Sequence, residues 1–250
     1  MDGSTGEAFF DLMESHRTQR WIRLMRRLPG SPRCALCRSP FGGFGGRIVR
    51  PMGFAPSRKN PRFCHKCFDV APEGGIEMEV GVLFADVRGY TALSEDRSPT
   101  EVAALMNRFY EAAVDVLCEH GIIDKLVGDQ VMALYLPRLF EGDASEHMLA
   151  DARALLDAAH PWLDIGIGLD YGVASVGNVG SGEVKDFTAI GDVVNTAARL
   201  QSVAKAGEIV LSTNVAQTVA GAVPQTFELK GKSAPVEALV LAPEAPIPTR

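Results

Sequence analysis

The sequence predicts an α+β fold, and three observations lead there. From Glu79 onward, strand-like and helix-like runs follow the order strand, helix, strand, strand, helix, strand, the ferredoxin-like βαββαβ order. The chain has 250 residues and is 46% hydrophobic, enough for one ordinary core plus a small appended module. No apolar stretch approaches the roughly 20 residues of a membrane-spanning helix. Nor does the start, Met1-Asp2-Gly3-Ser4, have the basic-then-apolar pattern of a signal peptide, so a cytoplasmic protein is expected.

The first element is a helix over 7–28 within a segment 1–30. Phe10, Met13, Trp21, Leu24, Met25 and Leu28 share one side at about 100° per residue, while Arg20, Arg23, Arg26 and Arg27 lie mostly elsewhere. Pro29-Gly30 stops it. Such a helix is expected to dock on its own chain or a sister chain rather than on a membrane surface.

Residues 31–70 are rich in Gly, Pro and Arg and too poor in aliphatic residues to make their own core. Cys34-x-x-Cys37 and Cys64-x-x-Cys67 supply the alternative. The two pairs resemble a zinc ribbon, in which four thiolates close a tetrahedral structural site. An iron–sulfur cluster takes the same ligands, and His65 could replace one thiolate. Residues 71–76 read as a linker, 77–242 as the main domain and 243–250 as a flexible tail.

In the main domain, Glu79–Ala85 is strand-like. Ser98-Pro99-Thr100-Glu101 is a capping box with proline at the first helical position. It opens a helix with Val102, Leu105, Met106, Phe109, Ala113, Val116 and Leu117 on the core face and Cys118 packed beside it. Ile122–Val127 and Gln130–Leu136 form a hairpin around Gly128-Asp129. A helix over 144–159 and a strand over 163–170 complete the order, with later strands at 209–211 and 227–241.

Charge is unevenly divided. Between Ser15 and Phe68 stand thirteen of the 25 basic residues and no acidic one, although the whole chain carries a net charge of −6. The basic segment therefore invites an acidic partner, and the acidic remainder of the same chain satisfies that without a further molecule. A nucleic-acid-binding ribbon is the rival reading, with only Phe41, Phe44, Phe54, Phe63 and Phe68 as stacking groups. Nucleic acid is therefore not the expected partner.

Three runs carry the chemistry. They are Phe84-Ala85-Asp86-Val87-Arg88-Gly89-Tyr90-Thr91, then Lys125-Leu126-Val127-Gly128-Asp129, then the stretch from Asp186 through Thr188, Asn195 and Arg199. Carboxylates at a strand end and a hairpin tip are apt ligands for hard cations, which phosphoryl chemistry on a nucleoside triphosphate requires. Gly89 allows a close loop, so successive amides of Val87, Arg88, Gly89, Tyr90 and Thr91 could cradle phosphates. Asn195 and Arg199 are spaced i, i+4 on a predicted helix and share a face.

In that order, over roughly 75–242, these runs resemble the catalytic domain of class III nucleotidyl cyclases, the adenylate and guanylate cyclase family. The resemblance implies that Asp86, Asp129 and the Val87 carbonyl bind two Mg2+ or Mn2+ ions per active site. It implies that Asn195 orients the ribose and that Arg199 stabilises charge at the α-phosphate. Lys125 and Thr188 would read the base, and Lys230 or Lys232 would contact the triphosphate. A lysine only donates, which suits N1 of adenine rather than N1–H of guanine. Threonine at 188, where many adenylate cyclases carry aspartate, resembles the bicarbonate-responsive subclass. The implied activity is conversion of ATP to cyclic AMP and pyrophosphate in a homodimer with two shared active sites, regulated by the N-terminal module. The alternatives are a guanylate cyclase or a nucleotide-sensing module with weak turnover. The Gly-Gly-Asp/Glu-Glu-Phe signature of cyclic dinucleotide synthases is missing from the sequence.

Overall fold

Asp86 lies one residue from the end of the strand on which the sheet is built, and the fold follows outward from that strand. The computed structural model describes residues 15–57, 62–71, 73–137, 139, 142–181, 184–232 and 234–242. The chain divides into two compact units, one of residues 1–78 with 173–191, the other of 79–172 with 192–250. Residues 173–191 group with the N-terminal unit.

In the larger unit, β1 (Ile76–Val87) pairs antiparallel with β3 (Gln130–Tyr135), in a register from Gly81 opposite Tyr135 to Asp86 opposite Gln130. β2 (Ile122–Val127) pairs with β3 across the predicted hairpin, with a register shift between Ile123 and Lys125. β4 (Ile165–Ser181) runs parallel to β6 (Ile209–Ser212). With β7 (Val223–Phe227) and β8 (Val236–Leu241) the order is β2-β3-β1-β4-β6-β8-β7. The expected single strand over 227–241 is two, because Gly231 turns at φ 79° between them.

The first helix after β1 was expected as loop. Tyr90–Glu95 instead forms a short helix, α4, entered through Gly89 at φ 69°. α5 (Pro99–Leu117) starts as predicted, with Ser98 and Glu101 each bonding the other's backbone amide. α6 (Ala144–Ala159) has the predicted bounds, and Asp143 accepts from the amides of Ser145 and Glu146.

Strand alternation divides the core. Leu83, Ala85, Ile209, Leu211, Leu239 and Leu241 join Phe109, Ala113 and Leu117 of α5 and Met148, Ala152 and Leu155 of α6 in one apolar cluster. Val210 and Ala238 point the other way, to Leu200 and Ala204 on and just past α7 (Asp192–Val203). A Cβ on Gly168 of β4 would lie 2.1 Å from Gln201 N and 2.3 Å from Ala197 O, so the bare backbone lets α7 close on the sheet.

In the N-terminal unit, α1 (His16–Arg27) begins at the Ser15 cap and buries Ile22 and Met25, with Trp21 stacked on Phe54 at 5.2 Å. Leu24, expected on the same apolar side, is 51% exposed; the covered stripe is narrower than the sequence pattern. Phe10, Met13 and the first turns of the predicted helix lie outside the described residues, as does the tail. Arg33 donates to the carbonyls of Met25, Leu28 and Arg38, so one of the basic residues closes the end of α1. α2 (Gly43–Val49), a 3-10 turn (Arg50–Met52) and α3 (His65–Val70) follow.

The same unit holds a hairpin that sequence reading missed. β4 continues past its predicted end at 170, and β5 (Val184–Ile190) pairs with it from Ser175 opposite Ile190 to Ser181 opposite Val184. Gly172, Gly177 and Gly180 make this stretch poor in the side chains that mark a strand.

Candidate active site

Antiparallel pairing with β3 puts the end of β1 beside the β2–β3 turn. Asp86 is opposite Gln130, and Val87 N donates to Asp129 O at 3.2 Å. The two predicted metal carboxylates are therefore carried by the end of β1 and by the β2–β3 turn beside it. Burial pushes the Asp86 carboxyl above its ordinary range, the Asp129 charge pushes the same way, and Arg88 opposes both. Arg88 pairs with Asp86 through Nη2, while Nη1 lies 3.4 Å from Ala204 O. Two carboxylates drawn together this way, one carrying a burial penalty, are a donor set suited to a hard divalent cation.

Sequence reasoning missed Gln201. Its side chain bonds the Asp86 carboxyl, and Gln130 Nε2 lies 3.5 Å from its Oε1. It is buried, four residues after buried Ala197. A polar residue at i+4 on an apolar helix face was the available signal.

The predicted phosphate cradle is shorter than expected. Val87 N is engaged by Asp129 O, and Arg88 N donates to Asp164 O at 2.8 Å. Gly89, Tyr90 and Thr91 remain, at the opening turn of α4, whose first amides lack partners inside the helix.

Lys125 extends from β2, with Nζ at 3.3 and 3.4 Å from the two carboxylate oxygens of Asp124. The Asp124 side chain is fully buried and the Lys125 side chain is 41% exposed, so a buried carboxylate tethers a partly exposed ammonium. At the other edge of the unit, Asn195 is exposed and Arg199 half-buried on α7, over a buried face of Val193, Thr196, Ala197 and Leu200. The β7–β8 turn reaches α7: Arg199 Nη2 lies 3.2 Å from where a Cβ on Gly231 would be, and Lys232 pairs with Asp192. Lys232 holds the Asp192 carboxyl below its usual range. Lys230 is exposed and has no such tie to α7 among the described residues. The structure thus gathers Asp192, Arg199 and Lys232.

In the N-terminal unit, Thr188 lies on β5 opposite Gly177 and is 7% exposed. The four cysteines converge there too. All four are buried, and their sulfurs lie within 4.8 Å of one another. Cys37 and Cys64 Sγ are 3.8 Å apart, which is the edge of about 3.8 Å of a tetrahedron with sulfurs at roughly 2.3 Å from zinc. Cys64 N and Cys67 N point at Cys34 Sγ and Cys64 Sγ, and Ser39 Oγ is 3.1 Å from Cys37 Sγ. Hydrogen bonds from the neighbouring cysteine side chains, that of Cys34 first, lower the Cys37 and Cys64 thiols, while burial pushes Cys34 up and the neighbouring sulfurs push Cys67 up. The cluster can hold zinc. His65 is not part of it.

Residues 76–238 match the family model described as the adenylate and guanylate cyclase catalytic domain. The chain belongs to that family. The uncharacterized protein Rv1320c of Mycobacterium tuberculosis is 32% identical over 206 residues, covering 77% of this chain and 34% of the relative. This cyclase-family chain thus spans about a third of the curated relatives it matches. Among solved structures, the guanylyl cyclase Cya2 aligns with a TM-score of 0.63 at 26% identity, over 68% of this chain and 96% of that one. The adenylyl cyclase CyaB from P. aeruginosa aligns at 0.61 and 27%, over 68% and 97%. A rhodopsin-guanylyl cyclase catalytic core with converted specificity, in complex with ATPalphaS, aligns at 0.58 and 25%, over 68% and 99%. The family resemblance and the α+β core are therefore as the sequence implied, and neighbours of both base specificities are present. Among the described residues, no helix is long and apolar enough to cross a membrane.

Proposed function

We propose that this cyclase is an adenylate cyclase, converting ATP to 3',5'-cyclic AMP and pyrophosphate in a homodimer with two shared active sites. The observation that carries the choice of base is Lys125, a donor-only side chain anchored by the buried Asp124 carboxylate and partly exposed. An ammonium matches the bare N1 of adenine and opposes the N1–H of guanine. Two Mg2+ or Mn2+ ions held by Asp86, Asp129 and the Val87 carbonyl would neutralise triphosphate charge and lower the pKa of the attacking hydroxyl.

The remaining roles fall to the chain's own side chains. Gln201 and Arg88 fix the Asp86 carboxyl in one orientation. The amides of Gly89, Tyr90 and Thr91 bind β- and γ-phosphate oxygens. Arg199 offers a planar fork of donors where negative charge grows at the α-phosphate during in-line attack. Asn195, one turn earlier on the same face, hydrogen-bonds the ribose and orients its 3'-hydroxyl. Of the two late lysines, Lys232 is the one for the triphosphate, since its tie to Asp192 holds it beside Arg199. Thr188 accepts from the exocyclic amine of adenine, more weakly than a carboxylate would.

Dimerisation is supported by apolar side chains left open beside Asp129: Leu126 is 40% and Val127 62% exposed. A second copy covers them and brings its Lys125, Thr188, Asn195 and Arg199 to the first copy's carboxylates. The four-cysteine unit holds structural zinc, and the N-terminal segment with it adjusts the dimer. The protein works in the cytoplasm. Threonine in place of a carboxylate at 188 is the observation that favours guanylate cyclase as a second reading, because it weakens adenine recognition.

Product analysis of purified protein given ATP or GTP with Mg2+ or Mn2+ tests this reading. Cyclic AMP is the expected main product from an equimolar mixture. Mainly cyclic GMP would overturn the base assignment, and no cyclic nucleotide under any condition would leave a nucleotide-sensing module.

A further inference from the structure

The second cysteine pair is flanked by the residues that grip the β4–β5 hairpin. Phe63, just before Cys64, is buried and its ring packs on buried Phe187 with centroids 4.9 Å apart. Phe68, just after Cys67, accepts at its carbonyl from Asn178 Nδ2 at 2.9 Å, and the same nitrogen reaches Ala71 O at 3.4 Å. Asn178 and Phe187 are directly opposite each other across the two strands. The cysteine unit therefore clamps both members of one rung. Gly74 N adds a bond to Asn178 O at 2.9 Å, and Glu73 pairs with Lys185.

The next rung is Gly177 opposite Thr188. The clamped rung adjoins it on the same two strands, so a shift of Asn178 and Phe187 carries Thr188 with it. A cation on the four sulfurs sets the spacing of Cys64 and Cys67, and through Phe63 and Phe68 the position of that rung. Removing it unties the two cysteine pairs that the four sulfurs bring together.

We propose that a thiophilic divalent cation, zinc by its donor set, positions β5 from the four-cysteine centre, so that this unit tunes nucleotide-base selection through Asn178 and Phe187. Both are positioning residues. The inference rests on Thr188 contacting the base, as argued above.

The test uses the whole 250-residue chain, stripped of metal by a chelator, freed of the chelator and assayed in excess Mg2+. Amide exchange in residues 184–190 should accelerate about tenfold or more on stripping, with β2 and β3 unchanged. The ATP-to-GTP ratio of kcat/KM should fall about threefold or more, mainly through KM for ATP. One equivalent of Zn2+ should restore both. Asn178→Ala keeps every cysteine, so it should hold about one zinc per chain yet show faster β5 exchange and a lower ratio. Exchange in β5 that ignores zinc removal overturns the coupling. Exchange that responds while the ratio stays fixed, in stripped protein and in Thr188→Val alike, overturns base selection by removing the role of Thr188 and leaves only the mechanical link.

Discussion

Asp86 shows how one side chain is prepared by its neighbours. Burial disfavours its charge, and Arg88 and Gln201 offset part of that cost. Asp86→Ala or Asp129→Ala should reduce cyclisation by about a hundredfold or more without unfolding the protein, because the metal ligands go while the core stays. Circular dichroism and a turnover assay check this, and substantial activity in either variant refutes the two-metal assignment. Asp170 allows a separate test of electrostatics. It is buried, bonded to Ser212 and to Tyr171 N, and burial raises its carboxyl above the usual range. A carboxyl whose pKa is raised by folding favours the fold while protonated, and that contribution is lost as pH climbs through the raised value. Asp170→Asn keeps an acceptor and removes the charge. Its stability relative to wild type should therefore improve between pH 4 and pH 7 in urea titrations, with no gain below the ordinary carboxylate pKa of about 4.

Elements with local punctuation were legible in the sequence. The α5 start was readable from Ser98 and Glu101, and Ser98→Ala should cost about 1 kcal/mol in unfolding free energy. The β2–β3 hairpin was readable from Gly128-Asp129, whereas the pairing of β1 with β3 that brings Asp86 beside Asp129 was implied only by the family resemblance. β5 was not readable, since its partner strand is rich in glycine and it is held by residues far away in sequence. For the same reason Gln201 escaped notice: its role exists only once α7 closes over Gly168 and meets Asp86. α4 was taken for a loop because Gly89 reads as a break, whereas it turns the chain into the helix. Lys125→Glu probes the β2 edge directly. It should depress ATP use about tenfold or more relative to GTP use, since a carboxylate accepts from guanine's donors; equal losses with both would show that Lys125 does not read the base.

At the scale of the whole molecule the decisive experiment mixes two dead variants. Asp86→Ala retains Asn195 and Arg199, and Arg199→Ala retains both carboxylates. Random mixing makes about half the dimers heterodimeric with one intact site, so roughly a quarter of wild-type activity should return. If labelled chains exchange and activity does not return, each site belongs to a single chain. The clamp on the β4–β5 hairpin has a consequence for how the protein is made. Asn178 and Phe68 are 110 residues apart, and Lys185 and Glu73 are 112 apart. On the ribosome the cysteine segment emerges long before the hairpin it grips. Phe63 has no Phe187 to cover it until more than a hundred further residues have been added, several seconds at about 5–20 residues per second. Metal captured early by the four thiols would hold that segment in shape during the wait, so zinc supply at synthesis, and not only in the finished enzyme, should govern the yield of soluble protein.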